Sequence, residues 1–372
     1  MQIPPFKLER YFARYEFNVR YLLCSSDCES LTIAELLAGE PGAQERFMEH
    51  WLGYTESQGA PSLRREIARI YRTVQPGEVL VHSGAEEAIF LFMQAALRPG
   101  DHVIVHTPCY QSLIELPRSL GCQVTRWQGD PQRGWALDMQ FLQDAVQHNT
   151  RLIVINTPHN PTGYLMPRDE FIELNRLAQQ RAILLFSDEV YRESEHDPAE
   201  RLPAACDLSE TAVSLGVMSK SYGLPGLRIG WAASHNAEIL EQMAALKDYT
   251  TICSSAPSEF LAEAALRQRE QLAARSVALI RRNLDVLDAF FSRHTDLFAW
   301  QRPKAGPIAF PQYLGGQVER FCDELVTQAG VLLLPGTNFD DLENHFRIGF
   351  GRQNLPEAVA ALEKFLDARI PG

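Results

Sequence analysis

The sequence lacks the features that mark membrane and nucleic-acid-binding proteins. None of its apolar runs approaches the roughly 20 residues that a membrane-spanning helix needs. It has no basic run, and its 47 acidic residues against 35 Lys and Arg give a net charge of −12. Such a surface repels the phosphate backbone of nucleic acids. We therefore expect no membrane partner and no nucleic-acid partner.

Targeting and crosslinking features are equally scarce. Residues 1–7 contain no apolar core of a secretory signal, so the expected location is the cytoplasm. The seven cysteines are scattered, and Cys24 and Cys28 lack the second close pair that a zinc site needs. We expect reduced, mostly buried thiols and no metal site.

Common nucleotide-binding motifs are also missing. There is no G-x-x-x-x-G-K and no G-x-G-x-x-G after an expected strand, which argues against nucleoside triphosphates and dinucleotides. No repeat or Pro/Gly/Ser-rich linker divides the chain. With 372 residues, 45% of them hydrophobic, the composition is that of a globular protein long enough for two packed domains.

What the sequence does contain is an alternation of short apolar runs and helix-length segments. The runs lie at 79–81, 102–105, 123–127, 152–155, 183–186, 212–215 and 229–233. Continuous apolar runs are typical of strands covered on both faces, and helical connections favour a mostly parallel α/β sheet flanked by helices.

Beyond the strands we predict helices at 84–97, 110–120, 168–180, 259–293, 318–329 and 355–368. The change of pattern after Pro257 suggests a large domain at 46–256. A small domain would then combine residues 1–45 with residues 257–372.

Polar residues follow the predicted strands, where ligands bind in open α/β sheets. They are Ser83–Glu86, Tyr110, Asn156 with Asn160, Asp188 with Tyr191, and Ser219 with Lys220. Because they follow consecutive strands, we expect them to converge on one ligand.

Lys220 and Asp188 are the strongest candidates for chemistry. Lys220 lies in an apolar, Gly-rich stretch, where lost hydration lowers the pKa of a lysine and makes its amine nucleophilic. The alternative is a surface lysine in a loop. Asp188 follows four apolar residues and needs a cationic partner, such as a protonated ring nitrogen. The alternative is a structural ion pair or a helix cap.

Two further positions suit anions. Gly84, Ala85 and Glu86 open a helix directly after a strand, where free N–H groups can hold a phosphate, although many α/β turns look alike. Arg347 lies in a hydrophobic, strand-like context and suits a bidentate anion such as a carboxylate. A structural salt bridge is the alternative.

Three segments, in this order, resemble those of the fold-type-I pyridoxal-5′-phosphate (PLP) enzymes of the class I/II aminotransferase family. They are His159–Gly163, Ser187–Tyr191 and Ser219–Trp231, and the resemblance extends from about Trp51 to Arg347. It implies the PLP-transferase fold with a smaller α+β domain built from both chain ends. It also implies PLP as cofactor and transfer of an amino group between an L-α-amino acid and a 2-oxo acid.

Within the family, short segments resemble capreomycidine-synthase-like members. They are Arg10–Phe12, Ser25–Ser26 and 219–228. This keeps cyclisation, elimination or other carbanion chemistry on an amino acid as the alternative function. A non-catalytic PLP-binding regulator would need an added DNA-binding domain, for which the residues before Tyr54 leave no room.

The resemblance assigns roles around the cofactor ring. It implies that Lys220 forms the aldimine with PLP and moves a proton at the substrate Cα. Asp188 would pair with the pyridine N–H, and Tyr191 and Asn160 would hydrogen-bond the phenolic oxygen. Tyr110 would stack on the ring.

The resemblance also assigns residues to the anionic groups. The phosphate would be bound by Gly84, Ala85, Glu86, Ser219 and Arg228. Tyr54 would reach the phosphate of the neighbouring subunit, which implies a homodimer with shared active sites. Arg347 would bind the substrate α-carboxylate.

Three departures from the family pattern stand out. Val217 replaces the Ser or Thr that often contacts the phosphate three residues before the lysine. The carboxylate of Glu86 must point away from the phosphate. Asp27 and Glu29 either meet a basic substrate side chain or belong to a solvated acidic loop.

Overall fold

The computed structural model describes residues 2–340 and 343–369. Its helices are α1 (Lys7–Tyr15), α2 (Ile33–Ala38), α3 (Ala43–Met48), α4 (Pro61–Ala68), α5 (Ala85–Ala96), α6 (Gln111–Ser119), α7 (Met139–Ala145), α8 (Arg168–Gln180), α9 (Ala237–Lys247), α10 (Ala256–Arg267), α11 (Arg269–Arg293), α12 (Val318–Ala329) and α13 (Leu355–Asp367). Its strands are β1 (Tyr21–Leu22), β2 (Val79–His82), β3 (His102–Thr107), β4 (Gln123–Gln128), β5 (Thr150–Asn156), β6 (Leu184–Asp188), β7 (Ala212–Val217), β8 (Gly230–Ala233), β9 (Phe298–Ala299), β10 (Ile308–Ala309), β11 (Gln312–Tyr313), β12 (Val331–Leu332), β13 (Leu334–Pro335) and β14 (Phe346–Gly349).

Seven strands form the central sheet, in the order β2-β8-β7-β6-β5-β3-β4. Strands β3 to β7 pair in parallel, and β8 runs antiparallel to both β2 and β7. Every residue of β3, β6 and β7 is buried, because helices cover both faces and the strands are continuous apolar runs. The predicted α/β class with a mostly parallel sheet is confirmed.

The register of the sheet places polar residues together at one edge. Asn156, the last residue of β5, pairs with Asp188, the last residue of β6. Parallel strands have their carboxyl ends at the same edge, so the residues that follow them face a common space.

The predicted single helix at 259–293 is wrong. The helix is broken at Gln268 (φ −111°, ψ 14°), which separates α10 from α11. The Gln268 side-chain amide donates to the carbonyls of Ala264 and Leu36, at 3.1 and 3.2 Å. It therefore joins the end of α10 to α2 instead of continuing the helix. After this break, α11 leaves α10 and packs against α13.

The two ends of the chain meet in a second core. Strand β1 pairs in parallel with β12, with Tyr21 opposite Val331. Leu23 and Cys28 pack in one hydrophobic cluster with residues of α11, α12 and α13. Short antiparallel strands β10, β14 and β13 complete this α+β region. The N-terminal segment thereby lies beside β14, which carries Arg347.

Two further properties concern membrane-spanning helices and cysteines. No helix in the described ranges combines the length and apolar character needed to cross a bilayer. All seven cysteines are free and five are buried, as the sequence predicted.

Candidate active site

A cavity of about 400 Å³ opens where β5, β6 and β7 end. Its volume falls in the range of roughly 300–1,000 Å³ that is usual for small-molecule sites. The sequence-predicted residues in its wall are Ala85, Glu86, Tyr110, Asn156, Asn160, Asp188, Tyr191, Ser219, Lys220, Arg228 and Arg347. The structure therefore brings side chains from distant parts of the sequence to one space, which we call the central cavity.

Lys220 follows β7 and points its amine into the central cavity. Its Nζ donates a hydrogen bond to Ser26 Oγ at 2.9 Å and lies 6.0 Å from the centre of the Tyr191 ring. Burial lowers the pKa of Lys220, although the carboxylate of Asp27 acts in the opposite direction. A larger fraction of this amine is therefore neutral and nucleophilic than for an exposed lysine.

Asp188 is a buried carboxyl, 5% exposed, at the end of β6. Its Oδ1 accepts from the Val190 N–H at 3.2 Å, and its backbone carbonyl accepts from Asn156 Nδ2 at 2.9 Å. No cationic nitrogen of the described residues lies within ion-pair distance of it, so it is not a structural ion pair. Burial raises the pKa of Asp188 to about 7.

Tyr191 and Asn160 approach the same space from two turns. Tyr191 is 1% exposed, and its Oη has no hydrogen-bond partner in the described part of the chain. The N–H of Asn160 donates to Asn156 Oδ1 at 2.6 Å, which fixes the turn after β5. A buried hydroxyl without a partner costs free energy unless a ligand satisfies it.

Arg347 is 1% exposed and is held by neutral oxygens. Its Nε and Nη2 donate to the carbonyl of Cys24 at 3.1 and 2.9 Å, and its Nη1 donates to Asn160 Oδ1 at 3.1 Å. The structural salt bridge is not observed, because no carboxylate in the described ranges pairs with Arg347. Its positive charge remains available to an anion in the cavity.

The turn from Ser83 to Glu86 opens α5 beside Arg228. Gly84 has φ +86°, and a Cβ there would lie 2.5 Å from Arg228 Nη2. Only glycine allows this approach, which places a guanidinium at the N-terminus of a helix. The Glu86 carboxylate accepts from Ser112 Oγ on α6 at 3.1 Å while it still lines the cavity.

Two predicted site residues do not line the central cavity. Gly84 lies in the turn directly before Ala85, which does line it. Tyr54 is 87% exposed and lies with Leu52 and residues 253–257 along a separate surface groove. Its predicted contact with the neighbouring subunit stays a prediction.

The N-terminal segment contributes residues that sequence reasoning missed. Glu9, Phe12 and Glu16 of α1 and the turn after it line the cavity beside Ser26. Their spacing of three and four places them on one helix face, a signal present in the sequence. Tyr110 Oη donates to Glu9 at 3.2 Å, which joins α1 to the large sheet.

Asp27 and Glu29, the acidic residues that depart from the family pattern, lie in different surroundings. Asp27 lines the cavity and pairs with Arg352, with both carboxylate oxygens 2.9 Å from one Nη2. Glu29 accepts from the Gln353 N–H and does not line the cavity.

Comparison with known proteins decides the family. The model of the family described as aminotransferase class I and II matches residues 22–362. The chain belongs to this family. It is 30% identical to the capreomycidine synthase of Streptomyces vinaceus, over 100% of this chain and 96% of that protein.

Two solved structures have the same fold over the full length. A PLP-dependent aminotransferase from Streptococcus suis 89-1591 is 30% identical, with a TM-score of 0.93 and all of both chains covered. The PLP-dependent cyclase OrfR is 32% identical, with a TM-score of 0.91 and 100% and 99% of the two chains covered. The predicted resemblance to the family is confirmed.

Membership of the class I and II aminotransferases implies PLP as the cofactor, as the sequence predicted. The residues fit its chemistry. The buried Asp188 carboxyl without a cation suits a protonated pyridine nitrogen, and the unpartnered Tyr191 hydroxyl suits the phenolic oxygen. The Gly84 turn beside Arg228 suits the phosphate.

Proposed function

We propose that this protein is a PLP-dependent aminotransferase that moves the amino group of an L-α-amino acid to a 2-oxo acid. One observation carries the proposal: the Lys220 amine, the Asp188 carboxyl and the Arg347 guanidinium line the same cavity. The reaction needs a base at the reacting carbon, a partner for the ring nitrogen and an anchor for the carboxylate that both substrates share.

The residues around the proposed ring site divide the work of holding the cofactor. Bound PLP supplies an electron-poor ring that accepts the electrons left when the substrate Cα–H bond breaks. Asp188 would accept a hydrogen bond from the pyridine N–H and stabilise its positive charge. Tyr191 and Asn160 would hydrogen-bond the phenolic oxygen, and Tyr110 would cover one face of the ring.

Lys220 is proposed to move the proton. Its neutral amine would hold PLP in the cavity and would be free to act on the substrate once the substrate is bound. The freed Nζ then accepts the Cα proton as a general base. Ser26, which accepts a hydrogen bond from Nζ, positions the amine.

Arg347 is proposed to orient the substrate. Its planar guanidinium binds the α-carboxylate with two hydrogen bonds, which fixes the direction of the Cα–H bond. Because Cys24 and Asn160 hold it through neutral oxygens, its charge is not cancelled before the substrate arrives.

The acidic wall from the N-terminal segment favours a cationic substrate side chain. Glu9, Glu16 and Asp27 line the cavity, whereas Arg352 pairs only with Asp27 among these three. Burial and the neighbouring Glu9 and Asp27 raise the pKa of Glu16. An amino or guanidino group would offset this repulsion, so we propose a basic amino acid as the donor.

Cyclisation or elimination on an amino acid is the second candidate. It is supported by the likeness to proteins named capreomycidine synthase and PLP-dependent cyclase. Such a reaction also begins with removal of the Cα proton, and it uses the same Lys220, Asp188 and Arg347.

One experiment separates the two candidates. The holoenzyme is incubated with a panel of basic, acidic and aromatic amino acids, with and without a 2-oxo acid. Transamination predicts that, without the 2-oxo acid, at most one equivalent of a basic amino acid per active site is consumed. With the 2-oxo acid, consumption continues and the matching new amino acid forms. Ammonia or a cyclised product without a 2-oxo acid selects the second candidate. Inertness of every amino acid contradicts both.

We also propose a homodimer with shared active sites. Trp51, Leu52, Tyr54 and Tyr249 are each at least 78% exposed. Leu52 and Tyr54 line the same surface groove, and exposed large apolar side chains are typical of a subunit interface. A second copy of the chain would cover them and bring Tyr54 toward a phosphate site.

A further inference from the structure

Glu86 places a carboxyl group at the proposed phosphate site. It lies in the first turn of α5, next to Ala85, and both residues line the central cavity. Its Oε2 accepts a hydrogen bond from Ser112 Oγ at 3.1 Å. Within the described ranges, no Lys, Arg or His nitrogen lies within 4.0 Å of this carboxylate. It therefore lacks the ion pair that would hold a partly buried carboxylate in its charged form.

The groups that face Glu86 from neighbouring elements are mostly acidic. Glu9 of α1 and Asp188 of β6 are carboxyls, and Tyr110 before α6 is a phenol. Arg228 is the cation that acts on Glu86. Burial raises the pKa of Glu86 to about 7, with Glu9 and Asp188 acting in the same direction and Ser112 and Arg228 in the opposite one. The negative phosphate of PLP would add to the repulsion.

We propose that Glu86 is a proton-holding residue of the cofactor site: its carboxyl is neutral when PLP is bound, and PLP binding takes up a proton there. The inference rests on the proposed cofactor site and adds a regulation of that site by pH. When pH rises, the free chain loses the Glu86 proton first. Binding of PLP then requires that Glu86 takes a proton from the solvent or that the phosphate lies beside a charged carboxylate. The affinity for PLP therefore falls.

The direction of the effect follows from linkage. The pKa of Glu86 is higher in the PLP-bound chain than in the free chain. The Kd of PLP therefore rises with pH between these two pKa values of Glu86. The rise reaches at most about tenfold per pH unit for one proton. Asp188 acts in the opposite direction, because pairing with the cationic ring favours its charged form. The contribution of Glu86 is therefore measured as a difference between the native chain and Glu86→Gln.

The test is PLP binding to the full-length chain from pH 6 to 9. Tryptophan fluorescence gives the Kd, and calorimetry in buffers of different ionisation enthalpy gives the protons taken up. Glu86→Gln keeps the size and the Ser112 contact but does not titrate. We expect equal affinity at pH 6. At pH 8.5 the variant should bind PLP about three- to tenfold more tightly and take up fewer protons.

Two matched variants locate the effect. Ser112→Ala removes the hydrogen bond that favours the charged carboxylate, so the steep region of the Kd profile should move to higher pH. Glu87→Gln changes the same formal charge one residue away. Burial acts to raise the pKa of Glu87, but hydrogen bonds from Thr250 and Ser83 outweigh it and lower that pKa. In Glu87→Gln, the Kd of PLP should rise with pH as steeply as in the native chain.

The outcomes distinguish this inference from the proposed function. Identical Kd profiles and proton uptake in the native chain and Glu86→Gln overturn the role of Glu86 and leave the cofactor site standing. Absence of PLP binding at every pH overturns both.

Discussion

Lys220, Asp188 and Arg347 share an uncommon condition: none has an oppositely charged partner within 4.0 Å among the described residues. Asp188 and Arg347 are almost fully buried, at 5% and 1% exposure. Burying an unpaired charge lowers the stability of a fold, and such positions concentrate at sites that bind charged ligands. The cavity that they share explains why the chain keeps them.

Asp188→Asn separates stability from cofactor binding. The buried carboxyl has its pKa raised from 3.8 to about 7, so the folded state loses stability as pH rises toward 7. At pH 8 the Asn variant, without PLP, should be more stable by up to about 4 kcal/mol, and the gain should shrink toward pH 5. Urea unfolding at both pH values measures this, and the Kd of PLP should rise. Lower stability of the variant at pH 8 would contradict the assignment.

Arg347→Ala should damage substrate binding far more than cofactor binding. Loss of the bidentate contact should cost about 2–4 kcal/mol of transition-state stabilisation. This corresponds to a fall in kcat/KM of roughly 30- to 1,000-fold, mainly through a higher KM. Steady-state kinetics and PLP titration measure the two effects. Arg347→Lys is the control that keeps the charge and should recover little. An unchanged KM in Arg347→Ala would rule out a carboxylate-binding role.

The central strands and helices α5, α6, α8, α12 and α13 follow from local pattern, whereas α1–α4, α7 and α9 were not predicted. Runs such as 152–155 and 183–186 are continuous and apolar, and the structure extends them to Asn156 and Asp188. Strands β1 and β9 to β13 have two residues each, too few for any periodicity to reveal. The break at Gln268 depends on a contact with Leu36, more than 200 residues away, so no local pattern predicts it.

The start of α5 gives a test at the level of one helix. Gly84→Ala places a Cβ 2.5 Å from Arg228 Nη2 at φ +86°, so we expect a stability loss of about 1–3 kcal/mol and weaker PLP binding. Gly100→Ala is the matched control, because Gly100 has φ +89° and a Cβ there would meet nothing within 4 Å. It should lose stability without changing the Kd of PLP. Equal Kd values for both variants would refute the Gly84–Arg228 arrangement.

The site as a whole was partly visible in the sequence. Lys220, Asp188 and Arg347 were predicted because each follows or lies in an apolar, strand-like run, and the family resemblance then implied their roles. Glu9 and Glu16 were missed because nothing local ties α1 to strands that end about 150 or more residues later. That link depends on tertiary contacts such as Tyr110 Oη to Glu9, at 3.2 Å.

The proposed dimer predicts complementation between two defective chains. Lys220→Ala and Tyr54→Ala are each expected to have little activity, through loss of the amine and weaker PLP binding. In a mixed dimer one of the two sites has both native residues, so the activity should return to about half that of the native dimer. Co-expression with two different tags isolates this species. Lys220→Ala with Asp188→Asn is the control, because both defects stay in their own sites. Failure of the first pair to regain activity would contradict shared sites.

The amine of Lys220 is central to the account, and covalent labelling tests it most directly. The chain has five lysines, and Lys247 is the informative rival because it is fully buried, with its Nζ bonded to the Ser57 carbonyl. The holoenzyme is reduced with borohydride, digested and analysed by mass spectrometry, which locates any lysine joined to PLP. We predict the phosphopyridoxyl group on Lys220 and on no other lysine. Its presence on Lys247, or its absence from every lysine, would contradict the account.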